Sequence, residues 1–264
     1  MNVYGSILVH LNQREQAYKV CTLAAQIAAK QGARLNAVHA ADAEGWDVRD
    51  LVAEIAQAQG VVAQCNSIAE GVAQLVECTR IADLLVIGQP GKGDNSDFSL
   101  GSASQLLVGA SCPVLFVPAP ASLGTTCGAR VLVSWGPGRE SARALRDALP
   151  LLQRATEVQL RAYGAGRAPA EDGLIAACAY LQLHGVKASY SAERMGDIDF
   201  NQRMLTPTVV DASVAELLLS QAADMEADLI VMGGYGHSRA HEFLLGGVTR
   251  SMLSSMTVPV FMSH

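Results

Sequence analysis

Positive charge is scarce in this sequence. Nineteen Lys and Arg residues stand against 25 Asp and Glu in 264 residues, a formal net charge of -6. Non-specific nucleic-acid binders and proteins that dock on anionic membranes need a basic face, so neither nucleic acid nor membrane is expected as a partner. Long apolar runs are missing too: none approaches the roughly 20 residues of a membrane span. Six cysteines, Cys21, Cys65, Cys78, Cys112, Cys127 and Cys178, are scattered without a CxxC pair. That predicts reduced thiols packed as small hydrophobes. His237, His241 and His264 share no metal-ligand spacing with each other or with a cysteine, so no metal site is expected. The opening MNVYGSILVHLNQ runs straight into a strand pattern without a basic and then an apolar segment. It predicts no signal peptide and a cytoplasmic protein.

What is present is apolar and repeated. Half the residues are hydrophobic and 17% charged, enough for a sizeable core in each of two ordinary domains. Residues 227–264 read ADLIVMGGYGHSRAHEFLLGGVTRSMLSSMTVPVFMSH, and residues 82–117 read ADLLVIGQPGKGDNSDFSLGSASQLLVGASCPVLFV. Gly88, Gly91 and Gly101 each stand 145 residues before Gly233, Gly236 and Gly246. The chain is a tandem duplication. In each copy a buried strand ends in a glycine turn, followed by a second glycine and a helix. Such turns let backbone N–H groups approach a phosphate, since no Cβ stands in the way.

Strands and helices alternate along both halves. The first half reads as strands over Ser6–Leu11, Arg34–Ala40 and Val61–Cys65, with helices over Glu15–Gly32, Asp47–Gln59 and Ala69–Arg80 leading to the glycine strand. Pro118–Gly128 is a linker. The second half restarts with a strand at Val131–Trp135 and a helix at Arg139–Gln153. Strand Val158–Tyr163, helix Glu171–Gly185 and strand Val186–Ser191 follow. Ala192–Val210 reads as an inserted loop and Ala212–Ala223 as a helix before strand Leu229–Met232; Val248–Ser255 and Val258–Met262 close the chain. This alternation predicts parallel sheets with right-handed crossovers and a ligand at the carboxyl ends of the strands, where the strand order reverses.

The motif G-x-x-G, nine residues, then G and a small residue, behind DLLVIG or DLIVMG, resembles the universal stress protein (UspA-type) family. The tail GYGHSR…LLGGVTRSMLSSMTVPVFM is similar to that of its bacterial tandem members. The resemblance implies an α/β fold of two doubly wound, five-stranded parallel-sheet domains, Rossmann-like and similar to adenine nucleotide alpha hydrolases. The domains would span residues 1–118 and 129–264, joined by linker 119–128. It also implies that they pair through their last strands, Val114–Val117 beside Val258–Met262, as an intramolecular pseudo-dimer. Whether the tandem chain forms a further homodimer stays open.

For ligands the resemblance implies an adenine nucleotide, ATP or AMP, with Mg²⁺ only as the nucleotide's companion. The residues that would meet it are Asn12, Ala40, Gly88, Gly91, Gly101 and Ser102 in the first half. In the second they are Gly233, Gly236, Gly246, Gly247 and Thr249. Both halves depart from the pattern. Asn12 stands where the family has Asp, Gly136 occupies the matching place in the second half, and Gly247 replaces a Ser or Thr, for which Thr249 could substitute. Lys92 could add charge to the first loop, while Asp94 and Asp97 oppose phosphate; His237, Ser238 and Arg239 give the second loop a donor-rich rim. Trp135 could stack on adenine, although packing is the plainer role.

His10 and His39 stand at strand ends without a serine elbow, a cysteine nucleophile or paired carboxylates, so both are expected to be satisfied polar residues rather than catalysts. No group is available to orient a water on a γ-phosphate. The expected function is therefore nucleotide binding in stress response without efficient catalysis. The alternative is an interaction module that has lost the site. An ATP pyrophosphatase is disfavoured, because HLNQRE and SWGPGRE supply no phosphate loop after the first strand.

Overall fold

A computed structural model of the chain describes residues 3–11, 13–40, 47–69, 71–91, 98–119, 127–164, 169–194, 207–234 and 246–264. The chain divides into two compact units, residues 1–123 and 124–264. In the first, β1 (Ser6–His10), β2 (Arg34–Ala40), β3 (Ala63–Ile68), β4 (Leu84–Gly88) and β5 (Val114–Val117) alternate with α1 (Arg14–Gln31), α2 (Val48–Gln59), α3 (Val72–Thr79) and α4 (Leu100–Gly109). Its strands lie in the order β3-β2-β1-β4-β5, all parallel.

The second unit has β6 (Arg130–Ser134), β7 (Glu157–Gly164), β8 (Ser189–Arg194), β9 (Leu229–Gly233) and β10 (Val260–Ser263). Between them run α5 (Arg139–Asp147), α6 (Leu149–Leu152), α7 (Pro169–Leu183), α8 (Pro207–Asp224) and α9 (Gly247–Ser255). Its order, β8-β7-β6-β9-β10, repeats the first, again parallel throughout. Each unit is thus a doubly wound α/β sheet whose order reverses between its first and fourth strands, at β1/β4 and β6/β9.

The central strands are buried on both faces, as parallel strands under helices must be. Every residue of β4 and β5 is buried, and Phe116 and Phe261 are fully enclosed. Truncating either phenylalanine to Ala would cost about 3–5 kcal/mol.

One acidic residue in each copy explains the repeated Ala-Asp-Leu. Asp83 Oδ2 accepts the backbone N–H groups of Gly5 and Ser6 at 2.8 and 2.9 Å. Asp228 accepts those of Gly128, Ala129 and Arg130 at 3.0, 3.1 and 2.9 Å. Each carboxylate holds the chain as it enters the first strand of its unit, at the edge opposite the candidate sites. The repeat is structural there.

Several elements differ from the sequence reading, each for a local reason. The strands expected at Val61 and Val186 begin later, at Ala63 and Ser189. Gly60 and Gly185 take left-handed φ of 66° and 78°, and the N–H groups of Val61 and Val186 turn back to the carbonyls of Ala56 and Leu181 at 3.0 Å. These valines complete helix C-caps, where an apolar residue packs back on the helix, and do not open strands. The helix expected over Arg139–Gln153 splits at Ala148 into α5 and α6. Pro150 has no N–H to offer the carbonyl of Arg146. The stretch read as a loop over Ala192–Val210 gives its first residues to β8 and its last to α8, which starts at Pro207, a favoured first helical residue.

Candidate functional site

In the first unit the carboxyl ends of β1 and β4 lie side by side, with His10 in register with Ile87. Gly88 closes β4 and is buried. A Cβ placed on it would meet Gln16 Oε1 of α1 at 2.7 Å and Val20 at 3.7 Å. A side chain here would thus press on the flexible tip of Gln16, and its contact with Val20 would be an ordinary one. Beyond Gly88, the Gly91 N–H donates to the carbonyl of the buried Phe98 at 2.8 Å.

Helix α4 then starts at Leu100, so Gly101 and Ser102 are its second and third residues. Ser99 caps the helix: its Oγ accepts the Ser102 N–H at 3.2 Å and lies 3.2 Å from Ser102 Oγ. Of the two N–H groups expected to meet phosphate, those of Gly101 and Ser102, the second is engaged by the chain's own hydroxyl. Ala40 closes β2, and the His39 Nδ1–H donates to its carbonyl at 2.8 Å. Gln89 Oε1 accepts the N–H of Ala119 at 2.9 Å, while Lys19 Nζ donates to the carbonyls of Pro118 and Ala119 at 2.7 and 3.1 Å. These bonds tie the chain leaving β5 to α1 and to the residue after Gly88.

Two buried polar atoms at this edge have no hydrogen-bond partner among the described residues: His10 Nδ1 and Gln16 Oε1. The amide nitrogen of Gln16 donates to Gln13 Oε1. Residue 10 as a whole is half-buried, but its Nδ1 is enclosed. Burial, with a smaller contribution from His39, pushes the His10 pKa down to about 4, so its imidazole is neutral at physiological pH. The expectation of a satisfied strand-end residue holds for His39 and fails for His10.

The second unit is built differently at the same place. Gly233 closes β9, and a Cβ there would stand 2.7 Å from both the carbonyl carbon of Glu140 and the nitrogen of Ser141. The backbone of α5 itself touches the strand end. Gly246 caps α9 with no side-chain hydrogen bond, Gly247 is the first helical residue, and Thr249 is 3% exposed. The α9 N-terminus therefore lacks the hydroxyl cap that closes α4. The Gly136 N–H donates to Ser141 Oγ at 3.1 Å. Trp135 packs against α7, where a Cβ on Gly173 would meet its indole nitrogen at 2.9 Å, so packing occupies this ring.

Asn12, Gly236, Lys92, Asp94, Asp97, His237, Ser238 and Arg239 lie outside the described residues. Of the other expected ligand contacts, the structure brings Gly88, Gly91, Gly101 and Ser102 to one carboxyl edge, and Gly233, Gly246, Gly247 and Thr249 to the other; Ala40 ends the neighbouring strand β2. Sequence reading missed Ser99, although a serine just before an apolar helical stretch is a cap signal. It also missed Gln13 and Gln16, which carry no motif.

Of the six cysteines, Cys21, Cys112 and Cys127 are buried and the other three half-buried. Among the described residues no group of three His, Cys, Asp or Glu side chains could hold a metal ion, and no helix is long and apolar enough to cross a membrane.

No curated protein matches the chain. Solved structures do. A universal stress protein from Archaeoglobus fulgidus DSM 4304 superposes with a TM-score of 0.72 at 17% identity, covering 98% of this chain and 97% of its own. A universal stress protein from Pseudomonas aeruginosa UCBPP-PA14 gives 0.60 at 18% identity, covering 98% and 93%. At these identities the likeness shows the fold. The sequence model described as the universal stress protein family matches residues 129–264, just over half the chain. The chain belongs to the universal stress protein family.

Proposed function

We propose that this protein binds an adenine nucleotide, AMP or ATP, at the carboxyl edge of the strands in one of its units, in the cytoplasm, without turning it over efficiently. The observation that carries this reading is a pair of buried polar atoms without a partner among the described residues, His10 Nδ1 and Gln16 Oε1, at the β1/β4 switch point. Buried polar atoms without partners are rare and cost about 1–3 kcal/mol each, which a bound molecule offsets. Their position is where open α/β sheets take ligands. Mg²⁺ would arrive only with the nucleotide's phosphates.

The lack of turnover is argued from the groups at the edge. Gln13, Gln16, Ser99 and Ser102 present amides and hydroxyls, and His10 is held neutral by burial. Phosphoryl transfer needs a metal as well as a group that orients the attacking water, and none of these side chains is a carboxylate that would hold the metal. The test is a phosphate-release assay with Mg-ATP, run beside melting curves with AMP and ATP. Nucleotide should raise the melting temperature while phosphate release stays far below ordinary enzyme rates. Release at enzyme rates would defeat the second half of the proposal.

A second reading has its own observation. Gly233 has a packing duty against the backbone of α5, and Ser99 engages one N–H of the first turn of α4. Together with Asn12, Gly136 and Gly247, these support a nucleotide-independent interaction module. A melting temperature unmoved by millimolar nucleotide would favour it.

A further inference from the structure

The two units differ at the amino edges of their sheets, opposite the candidate sites. In the first unit this edge is stitched by backbone bonds. The N–H of Leu35 donates to the carbonyl of Val62 at 3.0 Å, that of Arg34 to Gly5 at 2.9 Å and that of Asp83 to Ser6 at 2.9 Å. Across the strand order β3-β2-β1-β4 the edge therefore presents Val62, Arg34, the Gly5–Ser6 pair, and Asp83 with Ile81 shortly before it. Val3 lies two residues before Gly5. Val3, Val62 and Ile81 are 53%, 65% and 86% exposed. Single exposed apolar residues are ordinary, but these three share one edge.

The second unit has charges at two of those places. Gly185-Val186-Lys187 repeats Gly60-Val61-Val62, with the same left-handed glycine and the same helix cap, so Lys187 stands where Val62 does. Glu226 matches Ile81 at the 145-residue spacing of the glycines. Strand register puts Arg130 in the place of Ser6 and Glu157 in that of Arg34. There Arg130 pairs with Glu157 and Glu226 at 3.1 and 2.9 Å, so the edge satisfies its own charges.

In the first unit that network is missing. Arg80, beside Ile81, is taken by Glu77 at 2.8 Å. Arg34 and Lys30 are exposed and have no ion pair among the described residues. Asp83 is exposed as well, with Oδ2 on the N–H groups of Gly5 and Ser6. Arg34 and Asp83 thus begin the two strands that flank β1, about 5 Å to either side of it.

We propose that a second copy of this chain docks on the amino edge of the first unit, through a two-fold contact centred on the start of β1. Such a contact is isologous, so the surface must complement itself. A two-fold axis there exchanges the flanks of β1 and sets Arg34 of each copy opposite Asp83 of the other. It also brings the apolar side chains of the two copies together. A head-to-tail contact with another copy's second unit would instead press Val62 and Ile81 on Lys187, Glu157 and Glu226, where burial gains little. Lys30 keeps no counter-charge and the apolar centre is small, so the dimer is a weak one.

The experiment is sedimentation velocity of the full chain from low to high micromolar concentration, on the wild type and on Ile81→Glu, Val62→Lys, Arg34→Glu and Tyr18→Ser. The first three install at exposed positions the residues that the second unit already carries there, and melting curves check that each variant stays folded. The wild type should pass from monomer to dimer as concentration rises. Ile81→Glu and Arg34→Glu should each weaken the dimer at least tenfold, and Val62→Lys by a smaller factor. Tyr18, exposed in the second turn of α1 toward the other edge, is the control, and Tyr18→Ser should change nothing. Raised salt should weaken the wild-type dimer and strengthen that of Arg34→Glu, because it screens an attraction in one and a repulsion in the other.

A wild type that stays monomeric throughout would leave this edge to a different protein or to solvent and would overturn the proposal. A dimer that none of the three edge variants weakens, or that Tyr18→Ser weakens as much as they do, would put the contact elsewhere and overturn it too. No nucleotide enters these readouts, so the proposal stands or falls apart from the function proposed above.

Discussion

Gly233 and Glu140 are in backbone contact: a Cβ on the glycine would stand 2.7 Å from the carbonyl carbon of the glutamate. The strand end and the first turn of α5 can pack this closely only because residue 233 has no side chain. At Gly88 the corresponding clash is with the tip of Gln16, which can swing aside. Gly233→Ala should therefore cost about 2–3 kcal/mol, the upper part of the overpacking range, and Gly88→Ala less than about 1 kcal/mol. Urea unfolding of the two variants checks the order. Equal costs would mean that α5 shifts as easily as a glutamine side chain.

The carboxylate of Asp228 should matter more than that of Asp83. It takes three backbone N–H groups in a half-buried setting, against two exposed ones for Asp83. Charge-assisted bonds of this kind contribute about 1.5–3 kcal/mol each at best and do not add fully. Asp228→Ala is expected to lose about 2–4 kcal/mol and Asp83→Ala about 1–2 kcal/mol by the same reasoning. Chemical denaturation measures both, and a larger loss at Asp83 would contradict this ranking.

The first unit should weaken in mild acid because of His10. Its folded pKa of about 4 lies below the ordinary 6.5, so between those values the unfolded chain binds a proton that the folded chain does not. The penalty for keeping this imidazole neutral is absent above pH 6.5 and grows as pH falls toward 4, to about 3.4 kcal/mol at most. The difference in stability between wild type and His10→Leu should therefore change over that window and be flat above it. A difference that is constant from pH 7 to pH 4 would show that this imidazole is solvated.

Thiol chemistry should be slow in the folded chain. Burial, and then Cys65, pushes the Cys21 thiol up to about 12; burial also raises Cys65, Cys78 and Cys178. Only the thiolate reacts, so iodoacetamide at pH 7.5 should label Cys21 at least a hundredfold more slowly in native protein than in urea. Mass spectrometry of the labelled peptides reads the ratio directly, and rapid native labelling of Cys21 would show that α1 opens readily.

Much of this architecture is legible in the residues. The recurrence of Gly88, Gly91 and Gly101 at Gly233, Gly236 and Gly246, with an all-apolar strand before each set, reveals the duplication and the doubly wound sheets. The edge strands are less legible. Val61 and Val186 are the apolar residues that attract a strand assignment, yet left-handed glycines before them make them helix caps. The true strands beyond are polar and exposed, so their alternation is faint. The candidate site is legible in position and not in chemistry. Glycines mark where the loops turn, but whether an N–H is free depends on Ser99, and whether a histidine has a partner depends on how three strands align. Those facts belong to tertiary structure, and motif spacing does not carry them.

The most direct measurement is mass spectrometry of the small molecules released when freshly purified full-length protein is denatured, followed by melting curves with the compound found. An adenine nucleotide or nucleoside at a stoichiometry near one per chain, raising the melting temperature when added back, is the predicted result. Ligand-free protein whose melting temperature ignores millimolar adenosine, AMP and ATP would contradict it, and would leave the glycine turns of both units as packing devices alone.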